Sequence, residues 1–168
     1  MKTIVMKVIK LTTVLAIGMV MFTGSAFAQS NDPMVGTWEL NLEKSSISAP
    51  GVLNLFSLLI VTIEDGWTIA QTKSFNAEGT VRIQSDIRKY DGVARPFAGP
   101  NAGNFASMRT FSKTDDYHLS LTEVALTGVQ RQNRVIVISL DGKTMTETFN
   151  NINIDNKPVT GVNVFDKR

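Results

Sequence analysis

The sequence predicts an all-β protein, a single antiparallel up-and-down barrel of about eight strands. Three observations predict it. Short runs in which apolar and polar residues alternate recur along the chain, turn dipeptides separate them at close intervals, and no long stretch carries the 3.6-residue period of an amphipathic helix. Closing such a meander on itself removes the unpaired edges of the sheet.

The first 28 residues stand apart from this pattern. Lys2, Lys7 and Lys10 precede an almost wholly apolar run from Leu11 to Phe22, and Ser25-Ala26-Phe27-Ala28 ends in a small-x-small pattern. This is the layout of a secretory signal peptide cleaved after Ala28. The apolar run is about a dozen residues, short of the roughly 20 that a spanning helix needs. The expectation is therefore a periplasmic or secreted protein with residues 1–28 as signal and 29–168 as one barrel domain, without a transmembrane segment in the mature chain.

Taking 28 residues from 168 leaves 140, enough for one domain with its own core. The same cut removes three lysines, so 17 Lys and Arg fall to 14 against 15 Asp and Glu, and the side-chain balance moves from +2 to −1. Nucleic acid loses its electrostatic footprint, because no basic run remains beyond Arg88-Lys89 and Lys167-Arg168. The chain has no Cys. An exported domain without disulfides must hold by core burial and strand pairing alone.

Val35 to Leu42, V-G-T-W-E-L-N-L, opens the domain with Trp38, Leu40 and Leu42 on one face and Thr37, Glu39 and Asn41 on the other. A polar stretch ending at Pro50-Gly51 leads into the nearly continuous apolar run Val52 to Ile63, which periodicity cannot assign. Its first half holds good helix formers and Leu59 to Ile63 reads as strand, so a short helical or irregular piece leading into a strand is expected. Trp67 to Phe75 follows an Asp65-Gly66 turn. Val81 to Tyr90 alternates Val81, Ile83 and Ile87 against Arg82, Gln84, Asp86 and Arg88. Phe105 to Ser112, Tyr117 to Leu126, Val129 to Leu140, Met145 to Asn153 and Val159 to Phe165 complete the strands. Turn chemistry separates them at Asp91-Gly92, Asp115-Asp116, Thr127-Gly128, Asp141-Gly142 and Asp155-Asn156. One connection is longer: Val93 to Asn104, rich in Gly, Pro and Asn and carrying Phe97, reads either as a functional loop at a barrel mouth or as an Ω-like loop whose Phe97 packs down.

Several segments carry a resemblance. G-T-W-E-L-N-L-E-K-S from Gly36, K-Y-D-G from Lys89, D-D-Y-H-L from Asp115, S-L-D-G-K-T-M-T from Ser139 and the closing G-V-N-V-F-D-K-R resemble a family of small exported bacterial lipocalin-like proteins, mostly uncharacterised. Gly36-Thr37-Trp38 also matches the Gly-x-Trp of the first lipocalin strand. The resemblance implies a lipocalin-like β-barrel in which Trp38 closes one end, capped by a basic side chain near the C-terminus, Lys167 or Arg168. The chain departs from the family at Leu53 to Ile60 and at Arg95-Pro96-Phe97-Ala98-Gly99, two segments expected near a barrel mouth.

Catalytic chemistry finds no support. His118 is the only histidine, Cys nucleophiles are absent, and no Gly-x-Ser-x-Gly elbow, phosphate-binding loop or dinucleotide fingerprint occurs. Asp115 and Asp116 are better explained as turn residues than as metal ligands. The reading is a protein that is not an enzyme and needs no metal or cofactor. Its expected function is binding of a small, largely apolar molecule in the barrel, with Trp67, Phe97, Phe105, Met108 and Tyr117 as lining residues chosen for alternation and aromatic character. Polar residues on faces expected to point inward, Glu123 beside Tyr117, Leu119 and Leu121, and Gln71 and Lys73 beside Trp67, Ile69 and Phe75, read either as polar anchors in a cavity or as signs that both faces of those strands are partly solvated, with Glu123 beyond the core at its strand end. The rival is a filled barrel acting as an interaction module, with Leu53 to Ile60 meeting a protein or envelope partner.

Overall fold

A computed structural model describes residues 31–48, 56–75, 79–97, 106–153 and 156–168. Among these residues every regular element is a strand, and all eleven belong to one antiparallel sheet. They are β1 (Gly36–Leu40), β2 (Ser46–Ile47), β3 (Phe56–Glu64), β4 (Trp67–Phe75), β5 (Val81–Arg88), β6 (Arg95–Phe97), β7 (Ser107–Lys113), β8 (His118–Ala125), β9 (Gln130–Ile138), β10 (Thr144–Ile152) and β11 (Pro158–Lys167). The order across the sheet is β5-β4-β3-β1-β11-β10-β9-β8-β7-β6, with β2 pairing β11 beside β1. This is the expected meander, curled so that the first strand joins the last. The seam lies between β5 and β6.

Two strands go beyond the sequence reading. β6 arises inside the long connection after Asp91-Gly92, and β2 continues the line of β1 after a turn at residues 42–44. That turn is held by the Ser45 hydroxyl, which donates to Asn41 O at 2.6 Å, while Val164 N–H donates to Ser45 Oγ at 2.9 Å. The described part of the apolar run is strand from Phe56 onward, so no helical piece occurs at residues 56–58. The tertiary reason is pairing: Phe56 to Glu64 registers residue for residue against Phe75 to Trp67, closed by an Asp65-Gly66 turn with φ of 49° and 75°. Two successive positive φ values make the tight hairpin turn whose twist suits its flanking strands.

One end of the barrel is filled. Met34, Trp38, Leu40, Val61, Leu119, Ile136, Ile138, Met145 and Phe165 form a single buried cluster. Trp38 is 0% exposed and its indole N–H donates to Met34 O at 2.8 Å. Lys167 is the base that covers it: Nζ stands 4.9 Å from the ring centre and donates to Pro33 O at 3.0 Å. Arg168 instead pairs with Glu39 on the outside. No helix among the described residues is long and apolar enough to cross a membrane.

Candidate functional site

Pairing register fixes which face of each strand looks into the barrel, because directly opposed residues share a face. Starting from Trp38 and Val61, it carries the inward set through Thr68, Ala70, Thr72 and Ser74 of β4 to Arg82, Gln84, Asp86 and Arg88 of β5. The opposite wall presents Ser107 and Arg109 of β7, Glu123 of β8, Gln132 and Arg134 of β9, Glu147 and Asn151 of β10, and Asn163 of β11. Away from the Trp38 end, the interior is therefore polar and charged. Arg82 and Gln84 are exposed although they face inward, so solvent reaches this wall.

The charges are paired where burial demands it. Arg109 Nε donates to Glu123 Oε2 at 2.7 Å, and the Ser107 hydroxyl donates to Glu123 Oε1 at 2.8 Å. Arg134 donates to Glu147 Oε1 at 2.8 Å and Asn163 to Oε2 at 2.9 Å. Arg88 lies 3.6 Å from Asp86 and over the rings of Tyr90 and Phe111. Burial pushes the Glu147 carboxyl up, but the Arg134 charge, the bonds from Asn163 and Arg134, and the more distant Arg88 outweigh it, leaving the group below its ordinary value. Burial raises Tyr90, keeping its hydroxyl protonated and able to donate.

Five polar atoms remain buried with no partner from the described protein: Arg88 Nε, Tyr90 Oη, Gln132 Oε1, Arg134 Nε and Asn151 Oδ1. Four belong to residues of the inward set. Such atoms are normally satisfied by ordered water or by a bound polar group. Among the described residues away from the Trp38 end, the inward positions of β5 and β7 to β10 carry Arg82, Arg88, Arg109 and Arg134 against Asp86, Glu123 and Glu147, one cation in excess, while Arg95, opposed to Arg109 on β6, is held by Asp91.

The five lining residues expected from the sequence do not converge. Phe97 faces inward opposite Ser107, with the Arg109 guanidinium 3.1 Å from its ring centre. Tyr117 packs against the filled end instead. Met108 is opposed to Pro96 and Val124 on the outer face. Trp67 is also outside, 38% exposed, with Lys89 and Arg95 over its ring at 5.8 and 5.4 Å. Phe105 lies outside the described residues. Gln71 and Lys73 share the outer face with Trp67, whereas Glu123 does point inward as expected. The residues that sequence reasoning passed over are Arg88, Arg134 and Glu147, and the signal for the first was the alternating polar set of Val81 to Arg88.

Two concave features flank the interior. A crevice of about 240 Å³ at the filled end touches Asp32, Thr68, Tyr90 and Lys113. A wider open groove is lined mainly by outward residues, Asn133, Val135, Thr148, Asn150, Thr160 and Val162, and so lies off the inward polar array. His118, the exposed first residue of β8, has Nδ1 at 2.8 Å from Asp115 in the turn before it. Among the described residues, no group of three or more His, Asp or Glu is placed to hold a metal ion.

No family model and no curated protein matches the sequence. Among solved structures, the chain is similar to a Schistosoma mansoni fatty acid binding protein in complex with arachidonic acid, with a TM-score of 0.52 at 15% identity over 81% of this chain and 96% of that one. The fold is a lipocalin-like β-barrel. A zebrafish ileal bile acid-binding protein complexed with cholic acid is also similar, with a TM-score of 0.49 at 11% identity over 81% and 99%. The first of these likenesses bears out the barrel fold expected from the resemblance, and no family model supports the exported bacterial family.

Proposed function

We propose that this protein binds one small amphiphilic molecule in the polar half of its barrel, outside the cytoplasm. The observation that carries this reading is the set of buried polar atoms on the inward face without protein partners, above a floor already filled by Trp38 and its neighbours. A ligand whose polar end reaches Arg88, Arg134 and Gln132 satisfies three of them, while its apolar part lies against Phe97 and the inward-facing Phe149 and Val159. The surplus inward cation favours an anionic end, since bonds between a guanidinium and an anion are stronger than neutral ones. A barrel of this strand number holds about one small ligand. The arachidonic acid held by the Schistosoma protein is an amphiphile of this kind, and the signal-like segment at residues 1–28 supports an exported setting.

The test is a titration with the anionic dye 1-anilinonaphthalene-8-sulfonate, followed by displacement with a medium-chain carboxylate and with the alcohol of equal length. Saturable uptake of one dye per chain is expected, with the carboxylate displacing it about tenfold better than the alcohol. No saturable uptake by folded protein overturns the reading.

A second reading, an interaction module, is favoured by one specific observation. Phe56, Leu58 and Ile60 face outward and continue into Ile69 and Phe75 of β4 and the exposed Val81, Ile83 and Ile87 of β5. The rest of the segment expected to meet a partner, residues 53–55, lies outside the described residues. Exposed apolar surface of this kind, here interrupted by Gln71 and Lys73, marks contact sites.

A further inference from the structure

Among the described residues the sheet has two free edges, and they differ. β6 is three residues long with Pro96 at its centre, so it offers few backbone groups and lacks one N–H. β5 runs eight residues without proline and pairs on one side only, with β4. Its outward apolar residues Val81, Ile83 and Ile87 are 58%, 75% and 64% exposed. A long edge strand with an apolar outer face is a template for another strand, and β5 has neither the proline nor the shortness that blunts β6, so its inward charges Arg82, Asp86 and Arg88 decide what can pair with it. Only its last residue leans toward β7, where Arg88 lies over Phe111 at 5.2 Å.

We propose that β5 pairs antiparallel with β5 of a second copy of this chain, about a two-fold axis through Gln84. This rests on the second reading above and needs no ligand in the barrel, although it shares Arg82 and Asp86 with the inward array. An isologous strand pair keeps each face continuous only when the axis passes through a residue, because a one-residue slip swaps inward for outward side chains. Charge then chooses the residue. With the axis on Gln84, Arg82 stands opposite the partner's Asp86, and Val81 opposite the partner's Ile87, each arrangement occurring twice. Moving the axis to Ser85 sets Arg82 against the partner's Arg88, and moving it to Ile83 leaves Asp86 facing the partner's Thr80.

Arg82 makes no ion pair within its own chain among the described residues, and this register supplies one. On the outer face the register builds a row from Phe75 and Val81 of one copy to Ile87 and Ile69 of the other, with Phe56 stacked on Phe75 at 5.1 Å behind it. Opposite charges and apolar pairs directly across strands are the stabilising combinations in antiparallel pairing.

The chain's lack of cysteine makes the register directly readable. Gln84→Cys sets a thiol opposite itself at a Cα separation of about 5 Å, a span that a disulfide bridges, whereas Ile83→Cys and Ser85→Cys do not. The purified chain is expected to sediment as a dimer. Gln84→Cys is expected to cross-link under mild oxidation at least about tenfold faster than either control, given the steep geometric demands of the bond. Arg82→Glu, which opposes carboxylates across the strands, is expected to weaken the dimer about tenfold without changing the far-ultraviolet spectrum. A monomer at every concentration, faster cross-linking at position 83 or 85, or a dimer indifferent to Arg82→Glu overturns the proposal. A monomer that still takes up dye overturns it while leaving ligand binding standing.

Discussion

Glu147 shows what a charged interior asks of single residues. Its carboxylate accepts from Arg134 and Asn163 and is only 13% exposed, so the folded chain holds it ionised below the pH at which a free glutamate, with pKa about 4.3, takes up a proton. The folded value is the lower one, so Glu147 stabilises the fold above the ordinary glutamate range, and that contribution is lost as pH falls through the folded value. Glu147→Gln leaves Arg134 half-buried without its anion and is expected to cost about 2–4 kcal/mol at neutral pH. In urea denaturation the gap between wild type and variant should shrink steadily below pH ~4, where the wild-type carboxyl also protonates. Lys167 makes a comparable test at the filled end. Lys167→Met keeps the aliphatic stem but loses the bond to Pro33 O and the charge over Trp38, an expected cost of about 1–2 kcal/mol. Arg168→Met, on an exposed pair, should stay within about 0.5 kcal/mol by the same measurement.

At the scale of elements, Gly161 decides how β2 meets β11. A Cβ there would lie 2.6 Å from Ser46 O, 2.7 Å from Phe149 Cζ and 3.1 Å from Ile47 Cα, and two of these three neighbours are backbone. Gly161→Ala must push β2 outward, so a loss of about 1–3 kcal/mol is expected. Hydrogen exchange should report it locally, through faster exchange of the Ser48 amide that donates to Thr160 O. The elements themselves were legible in the sequence: alternation located β1 and β4 to β11 apart from β6, and turn dipeptides separated them. What alternation could not say is which of two faces points inward. In β4 and β5 the apolar set Trp67, Ile69, Phe75, Val81, Ile83 and Ile87 looks outward, and the inward set is small or polar. The usual rule of apolar inside therefore inverts here, and only pairing with β3, anchored by the buried Val61, reveals it. That inversion removed Trp67 from the candidate site and brought in Arg88. β6 was hidden for another reason, since a three-residue strand containing proline has no periodicity to read.

For the whole molecule, the division between a filled end and a polar half separates the stabilising cluster from the proposed ligand site, and two of the residues singled out in the sequence fall on opposite sides of it. Tyr117 packs on the cluster around Trp38, where burial of apolar surface holds the first and last strands together. Phe97 sits half-buried on the edge strand at the polar half, its ring against the Arg109 guanidinium and Pro96 beside it exposed. Tyr117→Asp places a charge in the apolar cluster and is expected to cost about 2–4 kcal/mol in urea denaturation, as buried unpaired charges do. Its dye affinity under conditions where the chain remains folded should be unchanged. Phe97→Asp should alter stability by under about 1 kcal/mol, because the residue belongs to a short edge with little packing to lose. It should nonetheless weaken dye binding at least about tenfold, since it removes an apolar wall and adds an anion beside Arg109 that competes with an anionic ligand end. The opposite result, dye affinity lost in Tyr117→Asp and kept in Phe97→Asp, would move the ligand to the crevice between Asp32, Tyr90 and Lys113 at the other end of the barrel. Stability and dye affinity, measured on both variants, thus locate the occupant along the barrel axis whatever its chemical identity.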